Sequence, residues 1–259
     1  MKIVVIGGSG LTGNKLVQRL HTQGHETISA SSSSGVNTVT GAGLDTILMG
    51  AQVAIDVTNT RSFEDAQMLK FFETSTYNIL NAEAVANVKH HVILSVVGAD
   101  QMPDSGYMRA KVAQENMVRA STKSFTIVRA TQYFEFLDAI ANVGTDQDIV
   151  SLPPAFIQPI AVDDVAEALV DIAVGTPGNN TVELAGPERF RLNELIQKYL
   201  NAIQDPREVI GDPSARYFGA TLDEHSLIPG KNPRIGATRF EQWLEQRLDR
   251  GGSIPRMKS

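Results

Sequence analysis

Apolar positions along this chain alternate between two rhythms. Short, largely apolar runs rich in β-branched residues occur at Lys2-Ile3-Val4-Val5-Ile6, Val53-Ala54-Ile55-Asp56-Val57, Val92-Ile93-Leu94-Ser95-Val96-Val97 and Phe125-Thr126-Ile127-Val128-Arg129. Runs of this length and character read as strands buried on both faces. Glu26-Thr27-Ile28-Ser29-Ala30 is a further short strand, and Thr38-Val39-Thr40 a possible small one. Between the strands the apolar spacing turns helical. Leu16, Val17 and Leu20 share one face of a first helix, for which Gly24 reads as the C′ residue. Leu44 to Met49 predicts a short helix closed by Gly50. Ser62 with Asp65 resembles a capping box opening a helix toward Phe72, and a separate helix is expected from about Tyr77 to Val88. Gly106 to Ala120 and Tyr133 to Ala141 complete the series. Strands alternating with helices, without tight hairpin signals, predict an α/β fold: a doubly wound parallel sheet, ligands binding at the carboxyl ends of its strands.

The pattern changes after Asp146, where Pro153, Pro154, Pro159, Gly175, Pro177, Gly178, Gly186 and Pro187 crowd together. Between them lie a helix over Val162 to Val174, a strand over Thr181 to Leu184 and a helix over Leu192 to Ile203. A strand-like run at Arg207 to Ile210 and an amphipathic helix near Arg239 to Leu248 follow. Residues 146–259 are therefore expected to form a small C-terminal lobe on the substrate side that crosses back to the sheet, making one structural unit with residues 1–145.

The break between the first strand and first helix carries the chemistry: Gly7-Gly8-Ser9-Gly10-Leu11-Thr12-Gly13. Gly7 permits a tight turn, Gly10 lets backbone approach a pyrophosphate, and Gly13 lets the helix pack close to the strand. The helix start then offers free N–H groups and a positive dipole end to an anion. Composition narrows the partners. The 259 residues suffice for a large core, and 42% hydrophobic with 20% charged residues is ordinary for a globular chain. A net charge of −6 argues against nucleic acid, and Arg247, Arg250, Arg256 and Lys258 read as solubilising charges near the end. The absence of cysteine removes thiolate metal sites and cysteine nucleophiles. No apolar run approaches the roughly 20 residues of a membrane helix, and the first one is too short for a signal segment. A cytoplasmic enzyme acting on a small molecule is expected, with no metal, nucleic-acid or membrane partner.

Tyr107 and Lys111, four apart on a helix, share a face beyond the strand that carries Ser95. Such a pair suits hydride chemistry. The ammonium lowers the phenol's pKa and binds the nicotinamide ribose, the phenol exchanges a proton with a carbonyl or alcohol oxygen, and a serine hydroxyl steadies that oxygen. With these residues, Leu94-Ser95-Val96-Val97-Gly98-Ala99-Asp100, Tyr107-Met108-Arg109-Ala110-Lys111, Ile127-Val128-Arg129-Ala130-Thr131 and Gln158-Pro159-Ile160-Ala161-Val162-Asp163-Asp164-Val165-Ala166, the chain resembles the short-chain dehydrogenase/reductase superfamily. It looks most like the atypical, NmrA-like members. The resemblance implies a Rossmann-like dinucleotide-binding domain over 1–145, the pyrophosphate on the first turn at Gly7, Ser9, Gly10, Leu11, Thr12 and Gly13, and the nicotinamide near Tyr107 and Lys111. The family's hydroxyl often sits a little beyond Ser95, where this chain has Val96 and Val97, so a strand-end structural role for Ser95 stays open.

An NAD-specific site usually places a carboxylate at the end of the second strand, but Ala30-Ser31-Ser32-Ser33-Ser34 stands there and no carboxylate occurs between Glu26 and Asp45. Ser31 and Ser32 are expected to bond the adenosine ribose or its 2′-phosphate; Arg61 would reach it only by folding back. NADP(H) is the preferred cofactor on this reading, with NAD(H) possible. Thr58 and Asn59 sit where the family's backbone passes the adenine ribose and pyrophosphate. Asp163 and Asp164, with Glu167, are expected to cap a helix. His90 and His91 read as loop or strand-start residues. Phe71, Phe72 and Phe134 are expected in the core or pocket wall, with Tyr133, Phe134 and Phe136 lining the substrate site. Three functions are open. The first is an NAD(P)H-dependent oxidoreductase reducing a small carbonyl or quinone-like compound. The second is a non-catalytic NADP-binding sensor. The third is a nucleotide-sugar epimerase or dehydratase, whose family members are usually longer.

Overall fold

The run Ile3-Val4-Val5 has no exposed surface and forms the centre of the molecule. The computed structural model describes residues 1–60, 62–121 and 123–249; Arg61, Arg250, Arg256 and Lys258 lie outside them. The first half runs β1 (Lys2–Ile6), α1 (Leu11–Thr22), β2 (Glu26–Ala30), α2 (Leu44–Leu48), β3 (Val53–Asp56), α3 (Asp65–Ala86), β4 (His90–Val96), α4 (Gly106–Ala120), β5 (Phe125–Ala130) and α5 (Leu137–Val143). The second half adds β6 (Thr145–Asp146), β7 (Ile149–Leu152), β8 (Phe156–Ile157), α6 (Val162–Val174), β9 (Asn180–Ala185), β10 (Phe190–Arg191), α7 (Leu192–Ala202), β11 (Glu208–Gly211), β12 (Arg234–Ile235) and α8 (Phe240–Asp249).

Seven strands form one parallel sheet in the order β12-β9-β5-β4-β3-β1-β2. Ile6 stands opposite both Ala30 of β2 and Asp56 of β3, so three carboxyl ends finish in one row. The chain leaves β1 through α1 for β2 on one side, then returns past β1 through α2 to β3 on the other. That reversal opens a crevice over the end of β1. Leu16 and Leu20 of α1 pack with Val165 and Leu169 of α6 over one face of the sheet. Leu44 and Leu48 of α2 meet Ile79 and Ala82 of α3 over the other. The chain after Asp146 contributes β9 and β12 to the main sheet; its remaining elements join α5 and β6, which come before that point, in a lobe of α5, α7, α8 and two small sheets, β11-β7-β6 and β10-β8. Phe134, Tyr199, Phe240 and Trp243 fill the lobe's core.

Four local expectations are corrected. Thr38-Val39-Thr40 is a turn: the Asn37 side-chain oxygen accepts the Val39 and Thr40 N–H groups at 2.9 and 3.1 Å, which bends the chain away from a strand. The two helices expected between Ser62 and Val88 are one, α3, because Ser75, Thr76 and Glu83 lie on its buried face and interrupt the apolar pattern without interrupting the helix. Ser62 does not cap it. Its hydroxyl accepts the Glu64 N–H at 3.1 Å and donates to Gln67 Oε1 at 2.9 Å, while the helix begins at Asp65 with Glu64 as its N-cap. The helix expected from Tyr133 begins as a 3-10 turn over Phe134–Phe136 before α5.

Acidic residues at the start of α6 also act otherwise than expected. Ala161 is the N-cap, and the Val162 N–H is taken by the Glu135 carboxylate at 3.2 and 3.3 Å. Asp163 accepts from Lys15 at 2.8 Å and Arg19 at 3.3 Å, tying α6 to α1, and Asp164 accepts from Thr238. His90 and His91 are the first two residues of β4, at a strand start as expected, and both are buried. His91 Nδ1 pairs with Glu83 Oε1 at 2.7 Å, an attraction that outweighs burial and raises its pKa.

Candidate functional site

The glycine turn is built from backbone. The Gly7 N–H continues the ladder to the Ala30 carbonyl at 2.8 Å, and Gly7 then takes a φ of +86° that L side chains avoid. Across the turn, a Cβ on Gly13 would lie 2.2 Å from the Gly7 carbonyl oxygen, a separation no side chain tolerates. Gly8, a position the spacing did not single out, is constrained more loosely: a Cβ there would meet the Ser29 hydroxyl and lie 2.9 Å from the Val5 carbonyl oxygen. Ser9, Gly10 and Leu11 are exposed at the crevice. Gly10 is the N-cap of α1 and brings no side chain to bond its first N–H groups, and the first turn holds no acid. A positive helix end is thus left bare at the switch point of the sheet.

Around this turn lie Ser31, Ser32, Thr58 and Asn59. The serines close on themselves: the Ser31 N–H donates to Ser34 Oγ at 2.9 Å, and the Ser31 and Ser33 hydroxyls share a 2.7 Å hydrogen bond. Ser32 remains exposed in this turn. Asn59 turns its amide oxygen to the Thr60 N–H at 2.9 Å. Thr58 differs. Its N–H donates to Asp56 Oδ1 at 2.8 Å, but its buried hydroxyl has no partner. Thr131, just beyond β5, also holds a buried hydroxyl without a partner. Each such group costs about 1–3 kcal/mol unless a ligand satisfies it. A bare helix end, a turn that admits no Cβ and orphaned hydroxyls at two strand ends fit a bound dinucleotide. Thr131 was not among the residues expected at the site, although it ends one of the motifs that carry the resemblance.

Tyr107 and Lys111 come from α4, whose start is fixed against α3. Ser105 is the N-cap and accepts the Met108 N–H at 3.5 Å, and a Cβ on Gly106 would lie 1.8 Å from Asp65 Oδ1. The half-buried Tyr107 ring meets Phe72 edge-on at 6.0 Å. Burial pushes its phenol up to about 12. The lowering expected from Lys111 is not found. Instead the Lys111 ammonium, only 2% exposed, donates to the Leu94 carbonyl at 2.8 Å and to Gln114 Oε1, and lies 4.5 Å from the centroid of the Phe72 ring. Burial draws its pKa down to about 8 against the opposing pull of Asp56 and Glu115.

Ser95 does not join them. Its side chain follows the alternation of β4 onto the α4 side and donates to Glu115 Oε1 at 2.6 Å. Glu115 is fully buried and also accepts from Arg129 at 2.8 and 2.9 Å and Arg119 at 2.9 Å. Those bonds and charges outweigh burial and hold its carboxyl below the usual range. Tyr133 and Phe136 stack at 5.1 Å beyond β5, with Thr12 beside the Tyr133 phenol, whereas Phe134 is fully buried against Trp243. Among the described residues there is no cluster of metal-ligating side chains and no helix long and apolar enough to cross a membrane.

No protein-family model matches the sequence, and no curated protein matches it. Solved structures do match in fold. A short-chain dehydrogenase/reductase superfamily protein from Agrobacterium tumefaciens with bound NAD aligns with a TM-score of 0.72 at 17% identity, over 96% of this chain and 98% of that one. The UDP-glucose 4-epimerase of Thermus thermophilus in complex with NAD aligns at 0.72 and 15%, over 97% and 100%. An NADPH-dependent quinone oxidoreductase from Escherichia coli aligns at 0.64 and 16%, over 96% and 100%. This chain shares a Rossmann-like α/β fold with these structures, the fold that its motifs implied.

Proposed function

We propose that the protein is an NAD(P)H-dependent oxidoreductase that reduces a small carbonyl or quinone-like compound. The observation that carries this reading is the bare N-terminus of α1 over a turn that admits no Cβ, with Tyr107 and Lys111 at the same end of the sheet. The α1 N–H groups would hold the pyrophosphate, and Thr58 and Thr131 would give their orphaned hydroxyls to the bound dinucleotide. When bound, a reduced nicotinamide supplies the hydride. Tyr107 then gives its hydroxyl proton to the substrate oxygen as the carbonyl carbon gains hydrogen, and solvent reprotonates the phenol. A phenol raised to about 12 is neutral near pH 7, the form that donates. Lys111, one helical turn on, brings its ammonium to the same Phe72 ring that Tyr107 meets. The Tyr133–Phe136 stack offers a flat wall for a conjugated substrate. Ser95 has a donor role to Glu115 that leaves it outside the reaction.

NADP(H) is the preferred cofactor because no carboxylate stands at the end of β2 to repel a 2′-phosphate. NAD(H) use is compatible with the fold, whose relatives carry NAD or NADPH in their solved complexes. The test is isothermal titration with NADPH and NADH, followed by a panel of carbonyls and quinones. Tyr107→Phe is expected to lower kcat at least about 100-fold while cofactor affinity stays within about threefold. Unchanged turnover removes Tyr107 from the mechanism. Cofactor binding without oxidation of NADPH by any compound favours a sensor. The second reading, a nucleotide-sugar enzyme, draws on the full-length likeness to the epimerase and gains if UDP- or dTDP-sugars alone are turned over.

A further inference from the structure

A lysine ammonium withdrawn from water has to find acceptors inside the protein. Lys111 donates to the Leu94 carbonyl and the Gln114 amide oxygen. Gln114 turns its amide nitrogen the other way, to Asp56 Oδ2 at 2.9 Å. The second oxygen of Asp56 accepts the Thr58 N–H at 2.8 Å. None of the three side chains is more than 2% exposed. The polarity of the amide is therefore dictated: its oxygen meets a cation and its nitrogen an anion, and the reverse orientation would leave both charges facing their own kind.

We propose that Gln114 and Asp56 are positioning residues for Lys111, an amide-bridged ion pair that keeps the buried ammonium protonated and fixed one turn of α4 from Tyr107. The bridge also ties the ammonium to the dinucleotide cradle. Asp56 immediately precedes the Val57–Thr58 backbone on which Gly7 packs, so closely that a Cβ on Gly7 would lie 2.9 Å from the Val57 carbonyl. The charges that act on Lys111 are Asp56 from β3 and Glu115 from its own helix, both favouring the ammonium. From β4 it meets a carbonyl and from α3 the Phe72 ring. The Glu83–His91 pair, between α3 and β4, also feels the charge of Asp56. Glu115 is already bound to two arginines and Ser95, which leaves Asp56 as the anion committed to the ammonium through Gln114.

The role of this bridge in hydride chemistry rests on the oxidoreductase reading; the bridge itself does not, and one experiment separates the two. The Lys111 Cε–Hε signal of protein labelled with ¹³C-lysine is identified by its loss in Lys111→Met and followed against pH in wild type, Asp56→Asn and Gln114→Met. Asp56→Asn keeps an acceptor for the Thr58 N–H and removes the charge, while Gln114→Met keeps the bulk and removes the bridge. Both are expected to lower the Lys111 titration midpoint by about one pH unit or more. The alkaline limb of kcat should move to lower pH in step, with NADPH affinity changed less than about threefold. An unchanged midpoint in either folded variant overturns the bridge, and if Asp56→Asn does not fold, Gln114→Met decides alone. A midpoint that moves without moving the pH profile of an active enzyme overturns the positioning role. A moved midpoint in a protein that reduces nothing leaves the bridge standing and the oxidoreductase reading fallen.

Discussion

The dinucleotide cradle and the Tyr107–Lys111 region lie at the same end of one sheet, yet they are specified differently. The cradle is made of backbone: a positive-φ glycine, a second glycine that admits no Cβ, and a helix end left uncapped. Its shape comes from seven consecutive residues set against the ends of β2 and β3. The second region is made of side chains that acquire meaning only through partners on other elements. Lys111 of α4 is held by β4 and, through Gln114, by β3, while Ser95 of β4 is claimed by Glu115 of α4. Two residues expected to work together were sent to different networks. A motif spaced along one chain segment thus specifies a cradle better than it specifies a reaction centre.

The contrast is broken most severely at Gly13. Gly13→Ala places a Cβ 2.2 Å from the Gly7 oxygen, and the turn must move to accept it. A loss of about 3 kcal/mol or more in stability, with NADPH affinity down at least 100-fold, is expected from denaturant melts and calorimetry. Near-normal affinity would mean that the cradle tolerates movement. Thr58→Val probes the same region with opposite signs. Removing the unpartnered hydroxyl should leave the free protein as stable or up to about 1 kcal/mol more so, while NADPH binding weakens about three- to tenfold. If binding is untouched, the hydroxyl does not face the cofactor.

Ser95→Ala should have the smallest effect. Glu115 keeps its arginines, so a stability loss of about 1 kcal/mol and a kcat within about threefold of wild type are expected. A 100-fold fall in kcat at unchanged stability would return Ser95 to the reaction and erase the contrast between the regions.

By itself the sequence determined the strands of the main sheet's core, the α4 and α6 boundaries and the glycine cradle, because buried parallel strands read as unbroken apolar runs and a tight turn reads as glycine. It lost α3 as a single helix because the helix buries Ser75, Thr76 and Glu83; the Ser75 hydroxyl turns back onto the Phe72 carbonyl of its own helix, and Glu83 makes sense on an inner face only once β4 supplies His91 as a partner. The same holds for Asp163, which serves Lys15 and Arg19 instead of its own helix end. Gln114, three residues from Lys111, carried no signal, since an amide becomes a bridge only when a carboxylate 58 positions earlier is folded against it. Tertiary structure alone decided which buried polar groups meet. In a low-dielectric interior each must find a partner, and the partner belongs to whichever element packs there, not to the neighbour in sequence.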